Sequence, residues 1–336
     1  MSTRVNEPVL PSVLKGGVRR RRVRLPLLFC LVIGFAGAGV AAWLGVSGTG
    51  TPAVEVARAA SPLPVAPKAV LPEPEPEPVA LLSVRGPVAR RDLSPPISAA
   101  TALLVDGRTG TVLWAKREHV RMAIASTTKI MTAAIAMERL APRDVVTIHP
   151  SVPRAAPFRE GLRAGERVPA WKLFYGLLLY SGNDDALALA IGAAGSRGAF
   201  LTLMNERAQQ LGLRNTHFTS PSGVIDRGNF STAWDLAVIT RFAMQNPRFR
   251  TVIRTRTKKV AWPAPTYSKV YVNKNHLLGT YPGANGVKTG WTTIASHCLV
   301  ASAQRNGVQL IAVVLHADDA YGDVRRLLDY GFQSRG

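Results

Sequence analysis

The hydrophobic and polar positions divide the chain into an uncharged apolar run, a proline-rich stretch and a long patterned segment. The apolar run extends from Leu25 to Val46, and its 22 residues carry no charge. As a helix it would be roughly 33 Å long, enough to cross a bilayer core of about 30 Å. The pattern therefore predicts a transmembrane helix over residues 25–46.

Charge on the N-terminal side of this run predicts its orientation. Residues 1–24 are polar and end in an arginine-rich block that includes Arg19, Arg20, Arg21 and Arg22. By the positive-inside rule this basic tail stays in the cytoplasm, so everything after residue 46 is extracytoplasmic. We expect a single-pass anchor in the cell membrane. The alternative is a cleaved signal peptide and secretion, although the apolar run is longer than the usual signal core.

A stretch rich in proline follows over residues 47–97. It holds 11 of the 24 prolines, including an alternating Pro-Glu run from Pro72 to Pro78. Such a composition cannot bury a core and favours extended polyproline II conformations. The sequence therefore predicts a disordered stalk that holds the remaining residues away from the membrane.

Residues 98–336 have the patterns of one folded domain. Strand-like runs lie at both ends, at Ala99–Val105, Thr111–Ala115, His297–Ala303 and Val308–Leu315. Helical patterns are predicted at Ser126–Leu140, with Ser126 as the N-cap, and at Ala170–Tyr180, Asp184–Ala194, Arg197–Leu211, Ala233–Met244 and Asp323–Tyr330. Strands at both ends and helices between them predict an α+β fold whose sheet combines both ends of the domain.

The formal net charge of +21 does not indicate a nucleic-acid partner. Residues 1–97 hold 12 Lys and Arg against 6 Asp and Glu, and residues 98–336 hold 30 against 15. The basic residues of the second part are scattered, which is typical of a solvated, anion-attracting surface; attraction to an anionic wall polymer is the more specific alternative.

The cysteines and histidines point to neither a disulfide nor a metal. Cys30 lies in the apolar run and Cys298 in a predicted buried strand, so we expect no bond between them. CxxC, HExxH and Cys/His clusters are absent from the sequence, and we expect no metal and no cofactor. The histidines are interpreted as ordinary surface or packing residues.

Three short motifs carry the candidate chemistry: Ser126-Thr127-Thr128-Lys129, Ser181-Gly182-Asn183 and Lys288-Thr289-Gly290. Each is weak alone, since Ser12 and Lys15 in the basic tail repeat the first spacing by chance. Three positions apart on a helix, Ser126 and Lys129 share one face. A desolvated neutral lysine can take the proton of a serine hydroxyl, so the spacing favours a serine nucleophile with a lysine base.

The sequence around these motifs resembles that of the low-molecular-mass D-alanyl-D-alanine carboxypeptidases, which are penicillin-binding proteins of peptidase family S11. The matching stretches include AIASTTKIMTA at 123–133, LLLYSGNDDALALA at 177–190, FTSPSGV at 218–224 and NKNHLLGTYPGANGVKTGWT at 273–292. S-x-x-K, S-D-N and K-T-G are the signature that penicillin-binding proteins share with class A β-lactamases; the first and third motifs match it, and the middle one is SGN rather than SDN. The resemblance implies the serine β-lactamase/transpeptidase fold: an antiparallel sheet flanked by helices, a helical subdomain, and a site between them.

The resemblance also implies a reaction. Ser126 would attack the carbonyl between the two terminal D-alanines of a peptidoglycan stem pentapeptide, and water would hydrolyse the acyl-enzyme. Lys129 would be the base, and Ser181 would relay a proton to the leaving amine. β-Lactam antibiotics would be covalent inhibitors of the same serine.

The remaining motif residues are implied to hold the substrate. Asn183 would hydrogen-bond the substrate peptide, and Lys288 and Thr289, on an edge strand, would bind its terminal carboxylate. Gly290 would let substrate approach the backbone. The N–H groups of Trp291 and of the nucleophile would form the oxyanion hole.

One departure from the family and three alternatives stay open. Relatives often carry an arginine that assists the carboxylate where this chain has Ala320, so recognition would rest on the Lys288-Thr289 pair or on an arginine elsewhere. D,D-endopeptidase activity on cross-links would use the same machinery. A β-lactamase would need a deacylating glutamate, and Leu211–Phe218, where it would lie, contains no acid. A non-catalytic wall-binding tether is the third alternative.

Overall fold

The computed structural model describes residues 94–224, 228–262 and 268–334. The predicted tail, transmembrane helix, Cys30 and most of the stalk lie outside these residues. The end of the predicted stalk contacts the domain, because Trp114 Nε1 donates to Ser94 Oγ at 3.0 Å. Within the described part, no single helix is long and apolar enough to span a membrane; Asn183–Ala194 and Arg197–Gln210, bent by 86°, satisfy that test only as a pair.

The described residues form nine strands and seven α-helices. The strands are β1 Thr101–Asp106, β2 Val112–Lys116, β3 Val145–Thr147, β4 Arg167–Pro169, β5 Thr257–Val260, β6 Lys269–Val272, β7 Ala284–Thr292, β8 Ser296–Arg305 and β9 Val308–Ala317. The helices are α1 Lys129–Arg139, α2 Ala170–Tyr175, α3 Asn183–Ala194, α4 Arg197–Gln210, α5 Ala233–Gln245, α6 Pro247–Ile253 and α7 Ala320–Gln333.

The central sheet joins both ends of the domain, as the pattern predicted. Its five antiparallel strands lie in the order β2-β1-β9-β8-β7. The small pairs β3–β4 and β5–β6 lie outside it. Strand β7, which carries Lys288-Thr289-Gly290, is at the edge of the sheet. Its outer side is therefore available for an extended peptide.

Helices cover both faces of the sheet, which explains why β1 is buried at all six positions. Successive side chains of a strand point to opposite faces. Leu103 and Val105 accordingly join the larger core, which also contains the buried side of α1 and α5. Ala102 and Leu104 join the smaller core with Val324 of α7. The predicted α+β class is confirmed.

Several local predictions differ from the structure. Ser126 is not a helix N-cap, because it lies inside a 3₁₀ turn, Ala125–Thr128, that precedes α1. Its hydroxyl contacts Lys129 Nζ rather than a backbone N–H of the helix. The predicted helix 170–180 ends in a π-helical turn, Gly176–Tyr180, a feature often found at functional sites. Helix α6 and the two short strand pairs were not predicted.

Asp323 of α7 fastens the start of the domain to its end. Its buried carboxylate accepts hydrogen bonds from Ser98 N at 2.9 Å, Ser98 Oγ at 2.9 Å and Ala99 N at 2.8 Å. Arg326 Nη2 donates to it at 2.7 Å. Burial by itself would raise the pKa of Asp323, but these hydrogen bonds outweigh burial and hold the pKa below its ordinary value.

We expect Asp323→Ala to destabilise the domain by about 2–3 kcal/mol at neutral pH, because several donors lose a charged acceptor. A lowered folded pKa stabilises above the unfolded pKa, and this contribution disappears as pH falls through the folded pKa. Thermal unfolding of both proteins should therefore converge in acid. Exposed Asp318→Asn is the control, and a difference between wild type and Asp323→Ala that is independent of pH would contradict the assignment.

Candidate active site

Ser126 and Lys129 meet at the junction of the 3₁₀ turn and α1. Lys129 Nζ lies 2.8 Å from Ser126 Oγ, 2.8 Å from Asn183 Oδ1 and 3.0 Å from the carbonyl oxygen of Ser222. The lysine is 0% exposed and Ser126 is 8% exposed. The structure thus brings together the first two motifs around one buried amine.

The three neighbours of Lys129 fit a neutral amine. Two of them, Asn183 Oδ1 and the Ser222 carbonyl, can only accept hydrogen bonds. The orientation of the Asn183 amide is set by its Nδ2, which donates to the Pro157 carbonyl. A neutral amine has two N–H groups for these acceptors and one lone pair, which is left for the hydroxyl proton of Ser126.

Electrostatics favour the same protonation state. Burial lowers the pKa of Lys129 well below its ordinary value, and the positive charge of Lys288 lowers it further. Asp185 and Asp184 oppose the shift without cancelling it. A neutral, desolvated amine in contact with a hydroxyl has the arrangement that a general base requires.

The backbone around Ser126 has a left-handed residue on one side and a strand packed closely against it. Ala125, just before Ser126, has a φ of 47°, in the left-handed region. A Cβ on Gly290 would lie 3.1 Å from both Ser126 N and Ile124 O, so strand β7 passes directly beside the N–H of the nucleophile. A side chain at this position would press on the nucleophile's backbone.

The second motif follows the π-helical turn. Ser181 ends that turn with a φ of 73°, and Asn183 begins α3. Asn183 N donates to the Phe158 carbonyl at 3.0 Å. The adjacent Asp184 carboxylate accepts from the backbone N–H groups of Glu160, Gly161 and Leu162. Loop 157–162 is therefore tied to the start of α3 and holds Asn183 against Lys129.

The third motif, with Trp291 after it, contributes three residues to the lining of the cleft and a buried lysine behind them. Lys288 is 1% exposed, and its Nζ donates to the Thr289 carbonyl at 3.0 Å. Burial, assisted by the charge of Lys274, lowers the pKa of Lys288 to about 7. Thr289, Gly290 and exposed Trp291 face the cleft, whereas Lys288 lies behind them.

These segments enclose one cavity of about 900 Å³. Six of the eight predicted site residues line it, namely Ser126, Ser181, Asn183, Thr289, Gly290 and Trp291. Lys129 reaches it through Ser126 Oγ. Among the described residues, no Asp or Glu lines the cavity, and no group of His, Cys, Asp and Glu is placed to hold a metal.

The sequence over residues 89–319 matches the family model of the D-alanyl-D-alanine carboxypeptidases, peptidase S11. The chain belongs to this family. Residues of all three motifs line the same cavity in this structure, and Lys129 of the first motif contacts the Ser126 hydroxyl.

Individual relatives agree with the family assignment. The chain is 38% identical over 261 residues to a D-alanyl-D-alanine carboxypeptidase of Streptomyces sp. strain K15, covering 71% of this chain and 88% of that protein. It is 33% identical over 249 residues to the D-alanyl-D-alanine carboxypeptidase DacF of Bacillus subtilis, covering 70% of this chain but only 62% of that relative. It is also similar to the crystal structure of the Streptomyces K15 DD-transpeptidase, with a TM-score of 0.67 and 35% identity over 71% of this chain and 99% of that one.

Some residues of this S11 site were not identified from the sequence. The Ser222 carbonyl contacts the catalytic amine, and Asn229 Oδ1 holds the same loop by accepting from Ser220 N at 3.0 Å. His297, interpreted as an ordinary residue, and Lys274 line the cavity. The stretches FTSPSGV and NKNHLLGTYPGANGVKTGWT contained part of this signal, but backbone acceptors leave no trace in residue identity.

A buried pair of carboxyl groups lies behind the second motif. Glu160 Oε1 accepts from Lys269 Nζ at 2.9 Å and from Tyr271 OH. Glu160 Oε2 and both oxygens of Asp185 have no hydrogen-bond donor among the described residues. Burial, followed by the charge of Glu160, raises the pKa of Asp185 well above its ordinary value. A proton held by Asp185 can satisfy Glu160, which makes the pair singly charged.

This pair predicts a pH effect on stability. Because the folded pKa of Asp185 is raised, its contribution is present below the unfolded pKa and is lost as pH rises through the folded pKa. Asp185→Asn keeps an N–H donor toward Glu160 but does not titrate. We expect the variant to retain more of its stability than wild type as pH rises, measured by thermal unfolding. Exposed Asp144→Asn should follow the wild-type curve, and parallel curves for Asp185→Asn and wild type would contradict the shared proton.

Proposed function

We propose that this chain is a serine-type D-alanyl-D-alanine carboxypeptidase that removes the terminal D-alanine from peptidoglycan stem pentapeptides. The observation that carries the proposal is the contact of 2.8 Å between Lys129 Nζ and Ser126 Oγ, with two pure acceptors taking the N–H groups of the amine. The family and the names of its relatives supply the substrate class.

Acylation begins when Lys129 takes the proton of Ser126. Oγ then attacks the carbonyl carbon between the last two D-alanines, and the carbonyl oxygen becomes an oxyanion. Backbone N–H groups of Ser126 and Trp291 are proposed to stabilise that charge, since strand β7 passes beside Ser126 N at Gly290. The C–N bond breaks when the leaving nitrogen receives the proton from Lys129. Ser181, which lines the cavity, is proposed to relay this proton.

Deacylation reverses the proton transfers. Lys129, again neutral, takes a proton from water as the water oxygen attacks the ester carbonyl. The bond from the carbonyl carbon to Ser126 Oγ then breaks, and Lys129 returns the proton to Oγ. The shortened peptide leaves with a new carboxylate. The cavity's described lining offers no carboxylate that could activate this water, which argues against the glutamate-assisted deacylation of a class A β-lactamase.

The substrate is proposed to lie as an extended strand along the free side of β7. Thr289 and Asn183 both line the cavity and offer polar groups to its backbone. β-Lactam antibiotics present a strained amide in the same position, and the nucleophile would be trapped as a stable acyl-enzyme.

The proposed location depends on the sequence alone. Residues 25–46 would form the single membrane span, residues 1–24 the cytoplasmic tail and residues 47–97 an extracytoplasmic stalk. This arrangement would place the cavity within reach of the wall. Protease accessibility of the domain on intact cells, with tail residues protected, tests it.

Ser126→Ala should abolish covalent labelling by a fluorescent penicillin and reduce D-alanine release from a pentapeptide stem by about 10³-fold or more, because the nucleophile is lost. Ser12→Ala, which alters the chance copy of the motif, should behave as wild type. Labelling that survives Ser126→Ala would place the nucleophile elsewhere. Cleavage of cross-linked dimers without D-alanine release would instead indicate an endopeptidase, and absence of both activities a wall-binding tether.

The pH profile tests the base. Since Lys129 must be neutral to accept the proton, kcat/KM should fall in acid through the lowered pKa of Lys129. Lys129→Arg, whose guanidinium stays charged, should lose turnover at every pH. A wild-type enzyme whose activity rises only near the ordinary pKa of lysine would contradict a neutral base at neutral pH.

A further inference from the structure

Lys274 lies in the cavity wall, where the three motifs assign it no role. It follows β6, and both its backbone N–H and its backbone carbonyl are hydrogen-bonded. Its N–H donates to the Leu179 carbonyl at 3.2 Å, and Tyr321 OH donates to its carbonyl at 2.7 Å. The segment is therefore bound both to the helix that leads into Ser181 and to α7.

The side chain of Lys274 is held by aromatic rings. Its Nζ lies 5.3 Å from the ring centre of Phe158 and 4.8 Å from that of Tyr180. Rings hold a cation through their quadrupole and do not neutralise its charge as a carboxylate would. The ion pairs between described residues do not include Lys274, and the described lining contains no acid.

The other lysines of the site are poorly placed to bind an anion in the cavity. Lys129 is fully buried and occupied by Ser126, Asn183 and Ser222. Lys288 is also buried, outside the lining, and its Nζ donates to a backbone carbonyl. Lys274 is thus the lysine that lines the cavity within the described residues.

The lining of this cavity also includes the position at which the chain departs from the family resemblance. Ala320, at the position where relatives often have an arginine, lines the same cavity. The next residue, Tyr321, holds the carbonyl of Lys274. The segment after β6 therefore brings a cation into the cavity that Ala320 also lines.

We propose that Lys274 binds the terminal carboxylate of the substrate, in the role for which an arginine at position 320 is lacking, and so determines specificity for substrates with a free C-terminus. This inference rests on the proposed carboxypeptidase function and names the residue that selects its substrate. Phe158 and Tyr180 hold the ammonium toward the cavity, and Thr289 offers a second hydrogen bond to the same carboxylate.

The test compares two ester substrates with the full-length chain in detergent. One is an acyl-D-alanyl-D-lactate with a free carboxylate, and the other is its methyl ester, which has the same scissile bond without the charge. For Lys274→Met we expect the ratio of kcat/KM for the free acid to that for the methyl ester to fall about tenfold, as expected when one charged hydrogen bond is lost. Lys274→Arg should restore most of the ratio.

Lys258→Met is the matched control. Lys258 is also held over two rings, 5.9 Å from Trp171 and 5.2 Å from Tyr175, but lies outside the cavity lining. Its loss should leave the ratio unchanged. If Lys274→Met lowers kcat/KM equally for both esters, the residue only shapes the wall and the inference is wrong.

The outcomes also separate this inference from the proposed function. Wild-type turnover with an unchanged ratio in Lys274→Met would overturn the role of Lys274 and leave the carboxypeptidase function standing. A wild-type chain that neither turns over the free acid nor is labelled by penicillin would overturn both.

Discussion

The active site depends on the burial of one amine. A lysine inside a protein is costly unless it loses its proton or finds partners. Burial lowers the pKa of Lys129 well below its ordinary value, and Asn183 and Ser222 supply acceptors for its N–H groups. Its two acceptors come from different parts of the chain, the start of α3 and the loop at Ser222, so the helical subdomain must pack correctly before the amine has its lone pair directed at Ser126. The surroundings of the amine therefore form only when these parts of the chain fold together.

The site is arranged to be electropositive without being fully protonated. Lys288 and Lys274 both act on Lys129, and the charge of each lowers the pKa of the buried amine. Asp184 and Asp185 lie close enough to act in the opposite direction, yet Asp184 is occupied by backbone N–H groups and Asp185 faces Glu160. The acids thus build the framework behind the cavity, and the described lining combines apolar side chains with Lys274 and several hydroxyl groups.

Strained backbone conformations hold the residues of the first two motifs in position. The left-handed residues Ala125 and Ser181 lie at the first two motifs, Ala125 just before Ser126 and Ser181 as the first residue of the second motif. Such conformations cost energy and persist only where the surroundings enforce them. Here the surroundings are strand β7 at Gly290, packed on Ser126 N, and loop 157–162, bonded to the start of α3.

The sequence by itself determined the α+β class, the sheet built from both ends of the domain and the three motifs, because strand and helix periods and side-chain chemistry are written in residue identities. The edge position of Lys288-Thr289-Gly290 was expected only from the family resemblance. The sequence did not determine that Ser126 lies in a 3₁₀ turn rather than at a cap, that Lys288 is buried behind Thr289, or that Ser222 and Lys274 take part. Those features depend on backbone carbonyls, ring positions and burial, which arise only when segments distant in sequence pack together. Local sequence preferences determine the helices and strands, whereas the pKa of Lys129 depends on tertiary contacts.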